Sequence, residues 1–141
     1  MKDAPDYSAE ILGSWVNANE IGDHPGLITE LLYHFDSENA VRIERTVIDM
    51  QTEEVLGFRY FAEGEYTLNG SDLTVHRMEV YNSDGVASLF TDRTDLTLSD
   101  DTKEEKVRVT FEDSFNRLIF DYEPCGPYAN CIEQQSFVKR N

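Results

Sequence analysis

Tyr66-Thr67-Leu68-Asn69-Gly70-Ser71-Asp72-Leu73-Thr74-Val75 is the stretch that decides the fold. Apolar and polar residues alternate on both sides of Asn69-Gly70. A period of two places alternate side chains on one face of a half-buried strand. Asn-Gly tolerates the positive φ that a tight hairpin turn demands. The segment therefore reads as two antiparallel strands joined by a sharp turn, and the rest of the chain repeats this pattern.

Upstream, the first of these strands is predicted over about 56–68, with Phe58, Tyr60, Tyr66 and Leu68, and Gly64 marks a bend or bulge. About 40–50 sets Val41, Ile43 and Val47 against Arg42, Glu44 and Thr46, the signature of a sheet with one wet face. About 28–35 puts Leu31, Tyr33 and Phe35 on one face and Leu32 and His34 on the other. A first strand over about 11–18 carries Leu12, Trp15 and Val16. Residues 19–27, with Gly22, Pro25 and Gly26, read as a loop, and 36–39 and 51–54 as turns.

Downstream, the strand over about 72–81 shifts phase from Leu73 and Val75 to Met78 and Val80, which implies a second bulge. Strands are predicted over about 91–98, through Val107, Val109 and Phe111, over 117–122 and over 132–140. A short helical piece is the reading for 87–90, and a charged turn for 99–105. Phe115 is unusually apolar for the tip of a turn. Eight or nine strands with short connections, spaced about ten to fourteen residues apart, predict an all-β fold, an antiparallel up-and-down β-barrel. Closure removes the exposed edges that template aggregation. Residues 1–10 are expected to be a disordered or loosely packed lead-in, and 11–141 a single domain.

A chain of 141 residues suits one core. Its apolar runs are far too short for a membrane span. Twenty-eight acids against twelve bases give a net charge of −16. That field repels phosphate backbones and anionic bilayers, so neither nucleic acid nor a membrane is an expected partner. Solubility is the plain account of the charge; a cationic partner or a saline habitat are the alternatives.

Cys125 and Cys131 flank Gly126-Pro127-Tyr128-Ala129-Asn130, which turns the chain back on itself. A pair at a hairpin end can reach the ~5.5 Å Cα separation that a disulfide needs. Two cysteines and no others point to an oxidising compartment, and so to a secreted or periplasmic protein whose signal has been removed, with surface anchoring as a variant of that reading. Two free thiols are the competing reading. Zinc needs more ligands than lie nearby, and no metal is expected.

The opening Leu12-Gly13-Ser14-Trp15 resembles the Gly-x-Trp start of lipocalins and of the lipocalin-like, calycin-type domains of secreted bacterial proteins. The 66–75 hairpin is similar to one common in those domains, and Ser136-Phe137-Val138-Lys139-Arg140 fits a last strand with a base near its end. The resemblance implies that the barrel is lipocalin-like and that Trp15 plugs one end of it, with Lys139 or Arg140 lying over the indole. Such a cation–π contact contributes roughly 0.5–2 kcal/mol.

Three functional readings follow. A binding module would hold a small apolar ligand among the inward candidates Tyr33, Phe35, Phe58, Tyr60, Tyr66, Leu73, Val109, Phe111 and Phe120, unless these rings fill the barrel themselves. An interaction or inhibitor module would have a filled barrel and meet a protein partner at the loop rim, through residues 19–27 or through Tyr128 in the 125–131 loop. An enzyme is not expected: His24, His34 and His76 sit in separate elements, His34 beside Asp36 has no nucleophile in view, and Ser14 lacks a nucleophile-elbow context. Asp92, Asp95, Asp100 and Asp101 lack the spacing of a calcium loop. No catalytic residue and no cofactor are assigned.

Overall fold

The computed structural model describes residues 6–83, 88–100, 102, 104–122 and 134–140. Within them, nine strands form one antiparallel sheet. They are β1 (Gly13–Glu20), β2 (Leu27–Phe35), β3 (Ala40–Asp49), β4 (Val55–Asn69), β5 (Asp72–Asn82), β6 (Thr97–Ser99), β7 (Glu104–Glu112), β8 (Arg117–Asp121) and β9 (Gln134–Arg140). Each strand from β1 to β5 pairs with the next in sequence. The lower half of β5 then pairs with β7, while its last residues carry β6 as a side branch. β9 pairs with both β8 and β1, so the sheet closes in a ring. The all-β, up-and-down arrangement expected from the alternation is the one the chain adopts, and it is barrel-like.

The central hairpin forms as its sequence dictates, with Asn69 opposite Asp72 and Gly70-Ser71 as the loop. Gly70 alone takes the left-handed φ, at 59°. The two expected irregularities are one feature. Glu63 pairs with Glu79 but Gly64 pairs with Arg77, so Met78 is the extra residue of a bulge facing Gly64. The close approach explains the glycine: a Cβ at position 64 would collide with the His76 carbonyl.

Two expectations are corrected. The strand predicted over 91–98 is instead a 3₁₀ turn, Arg93–Asp95, followed by the three-residue β6. Polar Asp92 to Asp95 offer no alternating apolar face, and Leu96 is the residue here that buries its side chain. The charged turn predicted over 99–105 ends earlier, because Glu104 and Glu105 already pair with His76 and Val75 of β5. Of the helical piece predicted over 87–90, residues 88 and 89 form a bend and Ala87 lies outside the described residues. Cys125, Tyr128 and Cys131 also lie outside them.

The turns at 36–39, 70–71 and 113–116 gather at the lower end of the ring, together with residues 7–12. Trp15 is wholly buried there. Its Nε1 donates to the Ile11 carbonyl at 2.8 Å. Burying an indole removes roughly 200 Å² of mostly apolar surface, on the order of 5 kcal/mol. Trp15 and Lys139 are cross-strand partners, so both face inward. Lys139 Nζ lies 5.1 Å from the indole centroid and donates to the Leu12 carbonyl at 3.0 Å. Arg140 is paired with Ser14 on the opposite face, where its guanidinium forks onto Glu30. Tyr7 packs on Phe111, which in turn meets the indole.

Candidate functional site

The inner face changes character along the axis. On β2 it runs from Phe35 and Tyr33 at the lower end to Thr29 at the upper. On β5 it runs from Leu73 and Val75 to Arg77, and on β7 from Phe111, Val109 and Val107 to Glu105. On β8 Leu118 and Phe120 lead to Tyr122, and on β9 Phe137 leads to Gln135. The lower lumen is packed with rings. Tyr33 lies 5.1 Å from Phe120 and 5.3 Å from Phe137, centroid to centroid. Phe35 lies 4.9 Å from Tyr66, and Phe120 lies 4.8 Å from Phe137. These are edge-on and tilted contacts at the spacing aromatic pairs prefer.

The upper lumen is a polar cluster built around the Tyr33 hydroxyl. That hydroxyl donates to Glu105 Oε1 at 2.9 Å and accepts from Arg77 Nη2 at 3.2 Å. Arg77 Nη2 also reaches Glu105 Oε1 at 3.3 Å. The Tyr122 hydroxyl donates to Gln135 Oε1 at 3.1 Å. Burial first, and the Glu105 charge second, push the Tyr33 phenol well above its ordinary range. The same two causes raise Tyr122. Burial disfavours the charged form of Arg77, but Tyr33, Glu105 and Tyr60 outweigh it and hold the guanidinium charged. Arg77 Nε is buried and has no hydrogen-bond partner among the described residues.

A second cationic element adjoins this cluster. A register shift between Arg45 and Thr46 makes Arg59 the extra residue of a bulge on β4, so Arg59 and Tyr60 together oppose Arg45. Arg45 is half-buried, with its Nη1 3.5 Å from Thr29 Oγ1. Burial, and then the like charge of Arg59, push Arg45 below its ordinary value.

Of the ring-lining candidates, Tyr33, Phe35, Tyr66, Leu73, Val109 and Phe120 are buried in one core cluster, with Tyr60 and Phe111 half-buried against it. Phe58 lies outside that cluster. The bulge at Arg59 changes the phase, so Phe58 pairs with Thr46 instead of following Tyr60 inward, and its backbone bridges Thr91. Sequence reasoning passed over Arg45, Arg77, Glu105, Tyr122 and Gln135. The available signal was a polar residue in phase with a buried series: Arg77 follows Leu73 and Val75, and Glu105 precedes Val107 and Val109.

The histidines remain apart. His34 is hydrogen-bonded to Ser14 across β1 and β2, Nδ1 to Oγ 2.8 Å. His24 is exposed in the 21–26 loop and His76 on the outside of β5. That loop, with Leu27 and Met50, frames a groove of about 340 Å³ at the upper rim. A groove of about 450 Å³ lies along β5, β7 and the end of β8, lined by Asp72, Thr74, Lys106, Arg108 and Asp121 together with Leu73, Val107 and Tyr122. Among the described residues, no helix is long and apolar enough to cross a membrane, and no group of three His, Cys, Asp or Glu side chains is placed to hold a metal ion.

Compared with known proteins, the chain matches no family model, no curated protein and no solved structure.

Proposed function

We propose that this protein is a non-enzymatic, lipocalin-like binding barrel that holds a small guest in the upper part of its lumen. The observation that carries this reading is the division of the interior. The lower half is closed by Trp15 and filled by aromatic rings, while the upper half is polar and contains an Arg77 Nε that is unpartnered among the described residues. A pocket with an apolar floor and a few converging polar groups is the usual form of a small-molecule site. Tyr33 would serve as its floor, with Tyr60 and Tyr122 as walls. The Gly-x-Trp start and the Lys139–indole contact support the lipocalin-like reading.

The test is a titration with small planar compounds, followed by amide resonances of the isotope-labelled chain. The expected result is that inner-face residues of β2, β5 and β7 shift at their upper ends while Trp15, at the far end, stays still. Shifts confined to the 21–26 loop would overturn the lumen site. They would favour a second reading, a protein-interaction module acting at the rim, for which the exposure of Met50 (45%) and Val55 (58%) on the neighbouring turn is the supporting observation. A disulfide between Cys125 and Cys131, and a secreted or periplasmic location, belong to the same proposal on the strength of their spacing. Thiol titration of the denatured, unreduced protein should find no reactive sulfur; two would remove the argument for an oxidising compartment.

A further inference from the structure

We infer that the upper lumen receives the carboxylate of a planar organic acid, held by the Arg45–Arg59 pair beside the buried Nε of Arg77. The inference rests on the binding-barrel reading above and names the chemistry of the guest. The first observation is a matter of pairing. The chain has eight arginines. Six of them, Arg42, Arg77, Arg93, Arg108, Arg117 and Arg140, face a carboxylate within 4.0 Å. Arg45 and Arg59 face none among the described residues. In a chain with 28 acids and 12 bases, carboxylates are in surplus, so two neighbouring arginines without one are conspicuous.

The second observation is their setting. Both are half-buried, and the β4 bulge brings them together although like charges repel. Moving charge out of water without a partner is costly, so an arrangement of this kind is complete when an anion joins it. Counting Arg45, Arg59 and Arg77 against Glu105, this part of the lumen carries two more positive than negative charges among the described residues. The third observation is the orphaned Arg77 Nε, a donor already desolvated. A guanidinium fork matches a carboxylate with two parallel hydrogen bonds. The tyrosine rings beside it offer faces for a flat apolar body. The field of a −16 chain penalises a multiply charged phosphate more than a singly charged carboxylate, which decides between the two.

The experiment compares 2-naphthoate with its neutral isostere 2-naphthamide by calorimetry on the whole chain, with inorganic phosphate as competitor. The acid is expected to bind about tenfold more tightly than the amide, as a charge-assisted bidentate contact requires. R45Q should abolish that difference while leaving amide binding in place, and R108Q, on the outer face, should change neither. Side-chain Nε–H resonances of Arg77 and Arg45 in the unaltered protein should move with the acid only, a readout independent of whether R45Q folds. Equal affinity for acid and amide would overturn the carboxylate and leave the binding barrel standing. Binding of neither would overturn both. Displacement of naphthoate by phosphate at equal concentration would overturn the choice of anion.

Discussion

Tyr33 joins the two halves of the lumen. Its ring belongs to the aromatic packing with Phe35, Phe120 and Phe137, and its hydroxyl to the cluster with Glu105 and Arg77. Removing only the hydroxyl separates these roles. Tyr33→Phe should keep the packing and leave Glu105 and Arg77 short of a partner. The expected cost is about 1–3 kcal/mol, the price of a buried polar group left unmatched, read as a lower urea midpoint with an unchanged slope. No loss of stability would show that the hydroxyl contact is not made in solution.

At the scale of elements, irregular backbone is placed where a regular ladder cannot serve. The β5 bulge at Met78 allows Arg77 to follow Val75 onto the inner face, and Gly64 opposite leaves room for the approach. Gly64→Ala forces a Cβ into the His76 backbone, which cannot swing aside as a side chain would. A loss of about 3 kcal/mol or more is expected, from thermal or denaturant unfolding. The β7–β8 turn makes the opposite prediction. Asp113, Ser114 and Phe115 all have left-handed φ, at 51°, 56° and 67°. Ser114 is exposed and its hydroxyl makes no hydrogen bond among the described residues, so Ser114→Gly should raise stability by about 1 kcal/mol through relief of strain alone. A melting temperature that falls would show that the hydroxyl matters more than the backbone. The unexpected Phe115 at this tip packs against Phe111, 5.6 Å between centroids, which accounts for its apolar character.

For the whole molecule, the polar cluster sets a limit at high pH. A free tyrosine ionises near pH 10. Tyr33 and Tyr122 hold their protons beyond that in the folded chain, because burial and Glu105 oppose a phenolate. Below about pH 10 both states keep the proton, and this stability is fully present. Above it the unfolded chain releases protons that the folded chain retains, so stability falls by about 1.4 kcal/mol per pH unit for each such tyrosine. Denaturant unfolding between about pH 9 and 11 should show the decline, and the last part of the phenolate absorbance should appear together with unfolding. Ionisation of all tyrosines before any loss of structure would contradict the buried cluster.

The strands were legible in the sequence because alternation is local: a side chain two residues on faces the same way whatever the rest of the chain does. Val41, Ile43, Val107 and Val109 announced their faces in this manner, as did the Asn69-Gly70 turn and the bulge near Gly64. The weak patterning of 91–98 misled for the same reason, since a strand that short is fixed by its neighbour on β5. The upper lumen was not legible. Arg45, Arg77, Glu105 and Tyr122 are spread over 78 positions of sequence, and the three charged ones each look like a solvated strand residue in isolation. Only ring closure, with two bulges adjusting the phase of β4 and β5, turns them toward one another. Sequence determined that extended segments would alternate and pair; the closed tertiary structure alone decided which polar side chains would share an interior, because that depends on register between strands and not on spacing within them.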